Sequence, residues 1–227
     1  MLKQKSLLSI ALLASVSLFV VSCTKEPMVK KNADQNGKNS QSASHRTGLT
    51  TGVTVLPDSG LQDRYYILSK IANKAITIVP EGTQLEQTEL VWTGNEPSSK
   101  ADLTICYFGT VTNPAFFQPG TYTMYKIQWG SLTPYTLNNQ FWDVEYASWA
   151  EGAPIISWPS KPQNNQLFIF QPTGDADNSV YIRNLASGKY VQVAGGSDVN
   201  TSIGAKLEQS SFSGNVNQKF FVNVRTY

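Results

Sequence analysis

The sequence predicts an all-β domain, closed like a barrel and built with threefold pseudosymmetry. Three observations carry this prediction. Val, Ile, Thr, Tyr, Phe and Trp are frequent, Gly and Pro recur at short intervals, and charged residues make up only 15% of the chain, which suits short strands joined by turns. From Tyr65 onward the chain repeats weakly three times. Within the repeats no helical period of apolar residues is found.

The repeats are read from their hairpins. Tyr66-Ile67 is followed by Lys74-Ala75-Ile76-Thr77-Ile78, and Tyr181-Ile182 by Lys189-Tyr190-Val191-Gln192-Val193, with the Lys eight positions after the Tyr in both. Between them stands Tyr125-Lys126-Ile127, followed after a longer connection by Phe141-Trp142-Asp143-Val144. Each unit continues into a second hairpin strand, expected at Glu89–Trp92, Ala153–Trp158 and Ala205–Gln209. Each ends on a last strand, expected at 101–108, 166–171 and 219–224. Asn138-Asn139-Gln140 resembles the Asn-Gln that precedes two of these last strands. However, Gln140 lies only 26 residues before Gln166, whereas Gln166 lies 52 before Gln218. A unit of 26 cannot hold four strands, so Gln140 is assigned to an inserted hairpin.

The N-terminus sets the expected compartment. Lys3 and Lys5 precede an apolar run over residues 7–21, 15 residues long, too short to span a bilayer comfortably and suited to a signal-peptide core. It ends in Val20-Val21-Ser22-Cys23, which resembles a bacterial lipobox. Residues 1–22 are therefore expected to be a lipoprotein signal peptide and Cys23 the lipidated residue. Acyl chains on Cys23 would hold the protein to the membrane permanently. Thr24, rather than Asp, follows Cys23, which resembles lipoproteins sorted to the outer membrane, at either its periplasmic or its cell-surface face. Residues 23–60 are rich in Lys, Asn, Gln, Ser, Thr and Gly and poor in core-forming residues, so they are expected to be a flexible linker. The folded domain is expected over 61–227, as a monomer.

Composition narrows the function. A formal net charge of +2 gives no footprint for nucleic acid. His45, the one histidine, falls in the linker, which excludes Ser-His-Asp and Cys-His machinery and a histidine-ligated metal from the domain. Cys106, in an apolar run, reads as a small buried hydrophobe. Neither a cofactor nor a metal is expected.

Asn164-Asn165-Gln166-Leu167-Phe168 and Asn217-Gln218-Lys219-Phe220 resemble the Gln-x-Trp/Phe motif that ends each repeat of ricin-type β-trefoil lectins. Ser187-Gly188-Lys189-Tyr190-Val191-Gln192-Val193 resembles that family's Ser-Gly-Lys-x-Leu-Asp-Val segment. The likeness covers about 61–227; it is plain in the second and third units and faint in the first. It implies a β-trefoil and binding of a glycan or polysaccharide.

Sugar recognition needs an aromatic ring against the apolar face of the sugar, and carboxylate or amide groups for its hydroxyls. The family likeness implies these come from the Asp of Asp-Val, an aromatic about 15 positions later, and the Asn before the repeat-ending Gln. The second unit has all three. Asp143 precedes Val144, Trp158 stands 15 positions on, and Asn165 precedes Gln166. Gln166 joins this carbohydrate-binding set with a largely structural role, tying down backbone. Strand alternation predicts Trp142, Val144 and Tyr146 in the core, with Asp143 and Glu145 opposite. A polar residue common in the family is replaced by Ile156. The first unit has Thr77 in the carboxylate place with Trp92 15 positions on, and the third has Gln192 with Leu207. One strong site is expected, with a weak second one near Trp92. A membrane-anchored carbohydrate-binding protein without enzymatic activity follows. Asp143 and Glu145 are too near each other in sequence to flank a glycosidic bond. The alternative is a trefoil that binds a protein partner and no sugar.

Overall fold

The computed structural model describes residues 64–77, 80–90, 92–93, 96–97, 101–129, 140–195 and 201–224. The expected signal peptide, Cys23 and the expected linker lie outside the described residues, as do Asn138 and Asn139.

Six strands close a barrel. They are β1 (Arg64–Ser69), β6 (Leu103–Thr112), β7 (Thr121–Trp129), β10 (Phe168–Pro172), β11 (Val180–Asn184) and β14 (Lys219–Val224). Each pairs antiparallel with the next, and β14 returns to β1, so the ring has no free edge. Three hairpins cap it. They are β2 (Lys74–Thr77) with β3 (Glu86–Thr88), β8 (Gln140–Val144) with β9 (Ile155–Pro159), and β12 (Tyr190–Val193) with β13 (Leu207–Ser210). Two barrel strands and one hairpin per unit, three times over, make a β-trefoil. A separate ribbon joins β4 (Trp92–Thr93) to β5 (Glu96–Pro97) in the first unit.

Alternation along each strand turns one set of apolar side chains inward. Tyr65, Ile67, Leu103, Ile105, Ile127, Phe168, Ile182 and Phe220 fill the barrel, and Ile76, Trp142, Val144, Ile155, Val193 and Leu207 fill the cap. Burying each large side chain contributes roughly 1.5–3 kcal/mol. Cys106 is buried as expected, its thiol donating to Gln128 Oε1 at 3.8 Å. The hairpins interlock cyclically. Gly82 N donates to Ser157 O at 2.8 Å, Gly152 N to Gln209 O at 2.9 Å and Gly204 N to Gln87 O at 2.8 Å. Gly82 and Gly152 have φ of 74° and 71°, a backbone that favours a residue without Cβ. Each hairpin turn therefore leans on the strand of the next unit.

Three expectations need correction. The second hairpin strand of the first unit is Glu86–Thr88 rather than Glu89–Trp92, because Leu85 takes the core place held by Ile155 and Leu207. Tyr146 is 92% exposed: the strand ends at Val144, and a 3-10 turn with positive φ at Tyr146 and Ala147 breaks the alternation. Gln140 begins β8, and its Oε1 accepts from Ser157 Oγ at 2.7 Å. Gln140 therefore ends no repeat, as the spacing required, but the hairpin it opens is the second unit's own cap hairpin and not an inserted one.

Candidate functional site

The second unit gathers its polar residues where β8 and β9 meet the 3-10 turn Asn164–Gln166. Asp143 lies outside the core, since its neighbours Trp142 and Val144 fill it. The turn then covers it, leaving Asp143 2% exposed. Asn165 Nδ2 donates to Asp143 Oδ1 at 2.7 Å and to Val144 O at 3.1 Å. Gln166 Nε2 donates to Asp143 Oδ2 at 2.7 Å and to Pro159 O at 2.8 Å, while its Oε1 accepts from Lys161 N at 2.8 Å. Both amide hydrogens of Asn165 are thus engaged inside the protein, which makes Asn165 and Gln166 residues that position Asp143. A carboxylate has lone-pair capacity beyond these two bonds. Burial raises the Asp143 carboxyl above its ordinary value; Gln166, Lys161, Asn165 and Lys126 pull it the other way.

Trp158 pairs with Phe141 across the hairpin, and Asp143 pairs with Ile156. Trp158 and Asp143 are therefore diagonal neighbours on one face, a separation of about 7–8 Å in such pairs. Trp158 is partly exposed. The turn at Gly82 buttresses it, since a Cβ there would lie 3.4 Å from Trp158 Cζ3. Lys161 Nζ stands 4.9 Å from the Trp158 ring centroid. The sequence reading missed both neighbours. Gly82 belongs to another unit, but Lys161, three residues past Trp158, was within view.

Strand register gives the counterparts in the other units. Thr77 and Gln192 stand where Asp143 does, and Thr88 and Ser210 stand where Trp158 does. The 15-residue spacing fails outside the second unit because the hairpin turns differ in length. Trp92 lies in the β4–β5 ribbon, away from the Trp158 place, and Leu207 is a core residue. In the third unit Gln218 repeats the structural role of Gln166. Its Nε2 donates to Ser211 O at 2.8 Å and to Gln192 Oε1 at 3.2 Å, and its Oε1 accepts from Ser213 N at 2.9 Å.

This geometry defines the class of protein, a β-trefoil. Residues 125–203 and 164–227, the second and third units, match the ricin-type beta-trefoil lectin domain-like family. Among solved structures the chain is similar to the designed threefold-symmetric protein ThreeFoil, at 22% identity and a TM-score of 0.52, over 72% of this chain and 99% of that one. It is also similar to part of 1,3Gal43A, an exo-beta-1,3-galactanase from Clostridium thermocellum, at 22% identity and a TM-score of 0.52, over 75% of this chain and 31% of that one. A mosquitocidal holotoxin matches at 18% identity and a TM-score of 0.52, over 73% of this chain and 18% of that one. At these identities the likenesses show the fold. No curated protein sequence matches the chain.

Proposed function

We propose that this protein is a membrane-anchored, lectin-like lipoprotein whose second trefoil unit binds carbohydrate and catalyses no reaction. One observation carries the reading. The carboxylate of Asp143 is held by Asn165 and Gln166 on the same hairpin face as Trp158, a partly exposed ring. A ring for the sugar's C–H face beside an oriented acceptor for its hydroxyls is the minimum such a site needs. The third unit keeps the structural Gln218 but has Gln192 and Ser210 in place of the carboxylate and the ring, so binding is assigned to the second unit alone. The anchor rests on the sequence. Residues 1–22 have the layout of a signal peptide, Cys23 stands at its end, and 23–60 have the composition of a tether; Thr24 after Cys23 supports the outer membrane as the site of anchoring. A glycan array probed with the full chain tests the carbohydrate reading, and silence on a broad array overturns it.

A second reading, a trefoil that binds a protein partner, draws on exposed aromatic residues. Tyr146, Trp149 and Phe116 are 92%, 64% and 55% exposed, and the Phe116 and Trp149 rings meet edge to face with centroids 5.5 Å apart. Tyr and Trp anchors dominate protein interfaces. Loss of a pulled-down partner on Trp149→Ala, with glycan binding absent in the parent, would favour it.

A further inference from the structure

The charge around Trp158 points to the kind of sugar, given the carbohydrate reading of the second unit. The carboxylate of the site, Asp143, is buried and already accepts from Asn165 and Gln166. The charge that faces the ring has the opposite sign, with Lys161 Nζ 4.9 Å from the Trp158 centroid. Lys70, Lys74, Lys189, Lys206 and Lys219 each hold a carboxylate in a salt bridge. Among the described residues Lys161 forms no salt bridge. A second ammonium lies behind it, with Lys126 Nζ donating to Ser160 Oγ at 3.1 Å and to Lys161 O at 3.0 Å.

The threefold comparison adds an independent observation. The hairpin position facing the Asp143 place is Glu86 in the first unit and Glu208 in the third, but Ile156 in the second. Each hairpin thus carries one carboxylate on this rung, and in the second unit it is Asp143, which is buried, whereas Glu86 and Glu208 are partly exposed. Both ammonium groups act on the buried Asp143 carboxylate, and of the two it is Lys161 that also reaches the ring.

We propose that the second-unit site takes an acidic glycan, its sugar ring lying on Trp158 and its carboxylate or sulfate meeting the Lys161 ammonium. The cation–π contact that Lys161 now makes is weak at an exposed site, and its four-carbon stem is flexible, so the ammonium can swing from the ring to an anion beside it. The one carboxylate of this rung, Asp143, is buried, so no exposed carboxylate stands on the rung to repel that anion.

The test is a glycan array carrying neutral, carboxylated and sulfated sugars, probed with the full chain. The parent should prefer acidic glycans over their neutral counterparts by about tenfold or more, the scale of one charge-assisted hydrogen bond. Whether carboxylated or sulfated sugars lead identifies the anion. Lys161→Met, which keeps most of the stem, should abolish the preference, while Lys206→Met, which removes the same charge elsewhere, should leave it. Binding confined to neutral sugars overturns this proposal and leaves the carbohydrate reading standing. An acidic preference that survives Lys161→Met, or falls equally with Lys206→Met, does the same. Silence across the array overturns both.

Discussion

Gln166 Nε2 donates to Asp143 Oδ2 at 2.7 Å, which ties the turn that closes the second unit to the strand that carries its carboxylate. The same side chain also grips Pro159 O and Lys161 N. Gln166 is fully buried and its bond to Asp143 is made away from water, while the other two tie it to partly exposed backbone.

Gln166→Ala should therefore destabilise the fold. It removes three bonds, one of them fully buried at Asp143, and opens a cavity, a loss of about 2–4 kcal/mol. Chemical denaturation measures it, and Gln218→Ala should cost a similar amount because Gln218 grips Ser211 and Ser213 in the same way. An unchanged denaturation midpoint for both variants would refute the structural role.

Acid should weaken the domain at Asp177. Its hydrogen bond with Lys70, chiefly, and those with Ser179 hold its carboxyl down to about 2, from an ordinary 3.8, against the opposing effect of burial. The folded value lies below the unfolded one, so the stabilisation is present above about pH 3.8 and is lost as pH falls through about 2. In a pH series of denaturation curves, the stability gap between parent and Asp177→Asn should be steady at neutral pH and shrink across that window. A gap that stays constant down to the bottom of the window would contradict the ion pair's role.

Asp143 should titrate in the opposite sense. Burial raises its carboxyl despite Gln166, Lys161, Asn165 and Lys126, so its charge costs stability at neutral pH, and the cost is relieved as pH falls through the folded value. Carboxyl-detected NMR should give a midpoint above 3.8. A midpoint at or below it would mean that the hydrogen bonds and lysines outweigh burial.

Much of this architecture was legible in the sequence because strands advertise themselves by alternation. Phe141 to Val144, Tyr190 to Val193 and Lys219 to Val224 fall where their patterns put them. The 52-residue spacing of Gln166 and Gln218 correctly demoted Gln140. What failed depended on turns. Tyr146 leaves the core because the backbone reverses at Glu145–Ala147, and alternation has no meaning past a strand's end. Trp92 lost its supposed place because hairpin turn length, rather than a fixed count, sets the register, which puts Thr88, across from Ala75, in the Trp158 place. The contact of Gly82 with Trp158 joins residues 76 apart, from different units, and no local pattern announces it.

The anchor is tested in cells. Cys23→Ser removes the acyl acceptor, so the variant should leave the membrane fraction in a carbonate wash, where the parent stays. A variant that remains membrane-bound would contradict lipidation at Cys23.

The most direct test of the central claim is the binding of folded Trp158→Ala to a multivalent glycan surface on which the parent binds. Multivalency matters because one shallow site near 1 mM corresponds to only about −4 kcal/mol, and losing the ring contact then takes monovalent binding below detection. Circular dichroism and a cooperative melt must first show that the variant is folded, since Trp158 also packs beside Gly82. The account predicts that Trp158→Ala loses glycan binding and that Asp143→Asn weakens it strongly, while Gln192→Ala in the third unit changes it little. Folded Trp158→Ala protein that binds every glycan as well as the parent does would contradict the second-unit site.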